Sequence, residues 1–382
     1  MKQIVCLATS PWYPIPTRKQ QVMSRIPDAE ILYFDPSITY IAPIKDKAAK
    51  PGLTAYQKPG VHPQANITVY SLPPVLPFFY KFRWINKLNQ RRMARFVRKK
   101  MQEHGFTDAV LWVYSPVTVD LVDYVPHKGL VYDCVDRHSA YGGLMDPALV
   151  DAMELELAKK TDMTFATADA LAERLRTVQP ETAMIPNGAN FERFVQASQP
   201  QPVPDDLAGI PHPIFGFVGA LQSCIEYDYL EAAAKARPDW HFVLIGKEKP
   251  GVDLSALHAM QNVHFLGLKP NEQLPQYLAH FDACLNLFAK SDLSKDVSPL
   301  KFYEYLATGR PIVSTKQPDQ ILQYAPLIEI ADSPAEFISA CEAALHDDTP
   351  ERTAARIEAG RACSWDSRVS QMCSLLQKRG IL

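Results

Sequence analysis

The chain alternates short, unbroken apolar runs with longer stretches in which apolar positions recur every three or four residues. In its first half QIVCLAT (3–9), AEILYFD (29–35), AVLWVYS (109–115), GLVYDCV (129–135) and MTFATA (163–168) predict strands. Runs without regular polar alternation suit a parallel sheet covered on both faces. Between them TRKQQVMSR (17–25) predicts a helix with Thr17 as its N-cap, and ADALAERLRTV (168–178) a second of strong helical propensity. The second half restarts the same order. IFGFVGAL, HFVLIG, NVHFLG, ACLNLF and LIEIA predict strands, with helices over YDYLEAAAKA and NEQLPQYLAHF. Strand and helix in alternation predict α/β domains with parallel sheets. The Pro- and Gln-rich stretch QASQPQPVPDDLAGIPHP (196–213) marks a boundary, giving domains at 1–197 and 205–355. Residues 356–382 have helical period and are expected to pack back on the first domain.

The length, 382 residues, agrees with two domains, and 47% hydrophobic with 21% charged residues is the composition of a soluble globular protein. No window approaches the roughly 18 uninterrupted apolar residues of a spanning helix. The start, MKQIVCLATSPWYPIP, reads as a first strand rather than a signal peptide, so a cytoplasmic protein is expected. The seven cysteines are scattered without a C-x-x-C pair, which predicts free, mostly buried thiols. A net charge of −2 gives no reason to expect nucleic acid as a partner. Its distribution says more: KFRWINKLNQRRMARFVRKK (81–100) holds nine basic residues and no acid. With the aromatics ahead of it, the segment Phe78 to Lys100 reads either as a surface for anionic membrane, on the inner face of the cell membrane, or as a solvated helix face.

Candidate chemistry gathers in DVSPLKFYEYLATGRPIVST (296–315). Ser298 suits an N-cap, Pro299 the first helical position, and Gly309 the C-terminal cap. A helix starting there, with Leu300 in its first turn, points backbone N–H groups and a partial positive charge at a phosphate, to which Lys301 adds a full charge. Glu304 lies about 9 Å along the axis from Ser298, where a carboxylate could accept from both hydroxyls of a ribose. The competing reading makes Glu304 a solvated helix residue and Asp296 a turn former. Gly219 and Gly246 end two predicted strands, the second followed by Lys247, and their backbones could approach a phosphate at the carboxyl edge of the sheet.

At this point the chain resembles a family. The succession IFGFVGAL, RPDWHFVLIG, NVHFLGLKPNEQLPQYLAHFDACLNLF, DVSPLKFYEYLATGRPIVST and SWDSRV is similar to the nucleotide-binding half of the GT-B glycosyltransferases, the glycogen-synthase-like group especially. TDMTFATADALAERL and AMIPNGANFERF resemble the end of its N-terminal domain, and WYPIPTRKQQ resembles bacterial polysaccharide and teichuronic-acid glycosyltransferases. The resemblance implies two Rossmann-like α/β domains facing a cleft. It also implies a nucleotide-sugar donor, UDP before other bases, in the C-terminal half and a glycan or lipid-linked acceptor in the N-terminal half.

Carried over, Glu304 binds the donor ribose, Asp296 lies near the transferred sugar, and Ser298 to Lys301 hold the diphosphate. No cofactor and no metal are implied, and the chain offers no D-x-D pair in a metal position. In the N-terminal half Asp136, then His138, would accept the acceptor's proton if configuration inverts, or His138 would contact the donor sugar if it is retained. Either side chain could instead be structural. Trp12, Arg18 and Lys19, after the first strand, are placed to receive the acceptor, with Trp12 equally suited to the core.

Two departures stand out. GALQSCIEYDY lacks the arginine and lysine that the related retaining enzymes carry there, and the first motif acid is Asp rather than Glu. Lys301, Lys247, the helix terminus or Arg18 and Lys19 would then neutralise phosphate. A sugar-nucleotide epimerase of the same fold and a catalytically silent partner subunit are the alternatives.

Overall fold

The computed structural model describes residues 1–142, 145–291 and 293–382. The chain divides into two units, Met1–Pro186 with Val369–Leu382, and Asn187–Arg368.

Unit 1 is built on β1 (Lys2–Leu7), β2 (Ala29–Asp35), β3 (Val61–Gln64), β4 (Ile67–Ser71), β5 (Ala109–Val113), β6 (Gly129–Cys134), β7 (Met163–Ala166) and β8 (Ala183–Met184). They lie in the order β3-β4-β2-β1-β5-β6-β7-β8, and only β3 runs antiparallel to its neighbour. Val5 pairs with Leu32 on one side and Leu111 on the other, so β1 sits at the centre. The chain first winds outward from β1 through β2 and β4, then returns to β5 on β1's other side, so the winding reverses between β1 and β5. Every residue of β5 and β6 is buried, which is why these runs lack polar alternation.

Unit 2 holds β9 (Ile214–Val218), β10 (His241–Ile245), β11 (Val263–Gly267), β12 (Ala283–Asn286), β13 (Ile312–Thr315) and β14 (Glu329–Ala331), all parallel. Their order, β11-β10-β9-β12-β13-β14, is the doubly wound arrangement, with its reversal between β9 and β12. Gly216 of β9 allows this packing, because a Cβ there would lie 1.9 Å from the Phe281 ring.

The domain limits read from sequence need correction. The boundary lies at Pro186/Asn187, not in the Pro- and Gln-rich stretch, because Phe191, Phe194, Ala197 and Leu207 are buried in unit 2's core. Residues 356–368 likewise belong to unit 2. There Arg356 is buried and donates to the Gly309 carbonyl at 3.0 and 2.9 Å and to Asp348. Only from Val369 does the final helix, Trp365–Lys378, count with unit 1, where Ile381 packs on Gly129. All seven thiols are free, and all but Cys224 are buried.

Candidate functional site

In unit 1 the loop after β1 leads into a short helix, Arg18–Met23, whose entry is fixed by Thr17 N–H donating to Gln20 Oε1 at 2.9 Å. Arg18 is only 4% exposed. Its Nε donates to both oxygens of the fully buried Asp133 on β6, at 3.1 and 2.9 Å, and its Nη1 to the Pro186 carbonyl at 2.9 Å. Nη2 is buried without a partner among the described residues. The expected acceptor contact through Arg18 is thereby corrected: the side chain is buried, its Nε held by Asp133 and its Nη1 by the Pro186 carbonyl. Asp133 carried a signal for this, since an acid inside an apolar strand must find a cation.

Lys19 is also buried, its ammonium 5.6 Å from the centre of the Tyr114 ring. Burial lowers its pKa, while Asp136 pulls it back up. Asp136, just past β6, keeps solvent access, yet the protein crowded around its carboxyl raises its pKa. The Tyr141 hydroxyl, donating to Oδ2 at 2.9 Å, and Lys19 act in the opposite direction. His138 is 3% exposed and its Nε2 lies 3.0 Å from the Tyr114 carbonyl. A carbonyl only accepts, so Nε2 carries the proton. Burial pushes the imidazole's pKa down to about 4, so it is neutral at neutral pH. Asp136 is thus the more accessible of the two proposed proton acceptors. Trp12 belongs to the core, edge-on to Tyr33 with ring centres 4.9 Å apart, and its backbone N–H donates to Asp35 Oδ1 at 2.8 Å. Its expected place as an acceptor platform is corrected accordingly.

In unit 2 the ends of β9 and β10 lie against each other. A Cβ on Gly246 would stand 1.7 Å from the Gly219 carbonyl oxygen. Gly219 N–H donates to Ile245 at 2.9 Å and Leu221 N–H to Lys247 at 3.0 Å, with the Lys247 side chain exposed. The glycines therefore serve the approach of two loops to one another.

The helix of the 296–315 segment runs Leu300–Thr308, one residue later than the sequence suggested, with Pro299 at the N-cap position. Ser298 does not cap it. Its hydroxyl accepts from Asn187 N–H at 3.0 Å and its carbonyl from Asn187 Nδ2 at 3.0 Å. The first turn consequently has no side-chain cap among the described residues. Tyr305 ties the helix to β9 by accepting from Val218 N–H at 2.8 Å, and Gly309 ends it at φ 73°.

Asp296 and Glu304 are both buried, and Lys301 Nζ donates to Glu304 Oε2 at 2.6 Å. The structure thus unites Lys301 with Glu304, Gly219 with Gly246, and Asp136 with Tyr141 beside Lys19. Tyr141 and Asn187 were missed, and neither residue type in its loop carries a distinguishing spacing.

Comparison with known proteins follows from these features. Residues 212–347 match the family model described as Glycosyl transferases group 1. TuaH of Bacillus subtilis (strain 168), named for teichuronic acid biosynthesis as a glycosyltransferase, is 26% identical over 257 residues, covering 63% of this chain. The match spans 64% of that relative's length.

Among solved structures, sucrose-phosphate synthase from Thermosynechococcus elongatus superposes with a TM-score of 0.70 at 14% identity, over 99% of both chains. The trehalose-6-phosphate protein of E. coli bound with UDP-2-fluoro glucose gives 0.70 at 12%, over 98% of this chain and 99% of that one. An α,α-trehalose-phosphate synthase (UDP-forming) from Burkholderia vietnamiensis gives 0.69 at 14%, over 99% and 100%. Residues 212–347 are a group 1 glycosyl transferase domain, and the chain that carries them has the GT-B fold of two Rossmann-like parallel-sheet units.

Proposed function

We propose that this chain is a glycosyltransferase that moves a hexosyl group from a nucleoside diphosphate donor, UDP first, to a hydroxyl of a glycan or lipid-linked acceptor in bacterial surface polysaccharide synthesis, without a metal. One observation carries the reading: Asp296 and Glu304, both buried, flank an uncapped helix start tied to the end of β9, inside the stretch that matches the group 1 family. The name of TuaH supports the polysaccharide assignment, and the donor analogue bound by the E. coli neighbour supports UDP.

The residues then take these parts. The backbone from Ser298 to Lys301 and the Lys301 ammonium hold the diphosphate. Glu304 accepts from the ribose, and Asp296 faces the transferred sugar. The bond from the anomeric carbon to the diphosphate oxygen breaks, the acceptor oxygen bonds to that carbon, and Asp136 takes the hydroxyl's proton. Charge develops on the leaving diphosphate, so its stabilisation is unit 2's main task. Lys301 and Glu304 neutralise each other in the structure, so binding draws Lys301 toward phosphate and releases Glu304 to the ribose.

The long helix Arg83–Glu103 supports peripheral contact with an anionic membrane. Trp84, 67% exposed, and Leu88 share its outer face with Lys87, Arg91 and Arg95, whereas Arg83 is spent on Asp120 and Glu156.

Titration of the full chain with UDP, GDP and CMP tests the reading: failure to bind any of them would leave only a silent subunit. A UDP-sugar converted to its epimer without acceptor would make the protein an epimerase. Asp136→Asn is expected to abolish transfer with UDP affinity intact, and normal turnover would remove Asp136 as base.

A further inference from the structure

Asn187 is the first residue of unit 2, and the backbone on both sides of it is pinned. Before it, Ile185 N–H donates to the Ala166 carbonyl at 2.8 Å, and the Pro186 carbonyl accepts from Nη1 of the buried Arg18 at 2.9 Å. After it, Gly188 lies so close to the backbone of residues 363–365 that a Cβ there would stand 2.8 Å from the Cys363 carbonyl oxygen. Ala189 exchanges bonds with the same segment, donating to Cys363 at 3.0 Å and accepting from Trp365 N–H at 2.9 Å.

From this fixed position Asn187 grips Ser298. Its backbone N–H donates to Ser298 Oγ and its Nδ2 to the Ser298 carbonyl, each at 3.0 Å. A carbonyl only accepts, so the amide must present its nitrogen there.

The grip settles a competition. A serine followed by proline favours the N-cap, where its hydroxyl would accept from the N–H two or three residues on, here Leu300 or Lys301. In the structure that hydroxyl is turned to Asn187 instead, and no side chain caps the helix Leu300–Thr308 among the described residues. The N–H groups of the first turn therefore keep their capacity for an anion.

We infer that Asn187 is a positioning residue for the donor diphosphate: it holds Ser298 off the helix start, so that the first-turn N–H groups meet phosphate oxygens rather than a hydroxyl of their own chain. The inference rests on the transferase reading and adds to it a residue that acts through Ser298.

Isothermal titration of the full chain with UDP and with uridine tests it, with GDP and guanosine run beside them. The parent should bind the diphosphate at least tenfold more tightly than the nucleoside. Asn187→Asp, of the same size, sets a carboxylate oxygen against the Ser298 carbonyl. It should weaken the diphosphate about tenfold and the nucleoside less than twofold. Adding Ser298→Ala should recover most of that loss, because no hydroxyl is left to cap the helix.

Equal weakening of diphosphate and nucleoside, an unchanged diphosphate affinity, or a loss that Ser298→Ala leaves in place would overturn the inference and leave the transferase reading standing. If Asn187→Asp fails to fold, Asn187→Ala decides on the same measurements. A parent chain that binds no nucleotide would remove the transferase reading itself, and this role with it.

Discussion

The two units solve one geometrical problem with opposite chemistry. Both sheets reverse their winding beside the first strand, at β1/β5 and at β9/β12, and so both offer a crevice at the strand ends. Unit 1 surrounds its crevice with buried ionisable groups. Arg18 and Asp133 neutralise each other, Lys19 lies over Tyr114, and His138 is held neutral by burial. Unit 2 brings two glycines, a helix start without a side-chain cap among the described residues and one ion pair, Lys301–Glu304, that we propose an incoming anion divides. The strand order therefore supplies the place, and the extent of burial decides whether charge there is fixed in structure or free for a ligand.

The sharpest way to break this comparison is to remove one buried charge. Arg18→Met leaves Asp133 without its cation and should destabilise unit 1 by roughly 3–5 kcal/mol, since an unpaired buried ion is worse than no ion. Hydrogen exchange of β1, β5 and β6 amides should accelerate, with unit 2 unaffected. Adding Asp133→Leu should recover most of the loss, because an apolar pair of similar volume often replaces a buried ion pair without cost. Unchanged exchange in Arg18→Met would show that the pair is not what fixes unit 1.

His138 gives the next largest effect. Its pKa in the folded chain, about 4, lies below the ordinary 6.5, so the unfolded chain takes up the proton first. Its contribution is complete above pH 6.5 and is lost as pH falls toward 4, by about 3 kcal/mol in all. Denaturant unfolding of unit 1 followed across that window should show the decline, and His138→Gln should flatten it. An equally steep decline in the variant would assign the acid sensitivity to other groups.

The strands with continuous apolar runs were legible from sequence because full burial removes every polar alternation, as in AVLWV. β3 and β8 were not: one is a largely exposed edge strand containing Pro63, and the other has two residues. The unit boundary was misplaced because prolines read as a linker, while Phe191 and Phe194 beside them anchor that stretch in unit 2.

In unit 2, Glu304 and Asp296 stood out through their spacing about a helix start, and the structure buries both. The Arg18–Asp133 pair did not stand out, because its partners are 115 residues apart. Ser298 was misread for a related reason. Its local sequence favours capping, but Asn187, distant in sequence, supplies the donor that its hydroxyl accepts.

The smallest effect on stability should come from the charge pair in unit 2. Lys301 and Glu304 are three residues apart on one helix, with the Lys301 side chain partly exposed, so Lys301→Met should change stability by at most about 1 kcal/mol. Its effect on nucleotide binding should be larger, a loss of roughly tenfold in UDP affinity for one charge-assisted contact. The informative quantity is how that loss depends on Glu304. In the parent chain Lys301 must leave Glu304 to reach a diphosphate, so part of its attraction is offset. In a Glu304→Gln background no ion pair opposes the move, and Lys301→Met should then cost UDP more affinity than it does in the parent. A double-mutant cycle on UDP dissociation constants reads that sign directly. Equal losses in the two backgrounds would mean that the pair does not exchange with the ligand, and unit 2 would then hold its charge as fixedly as unit 1.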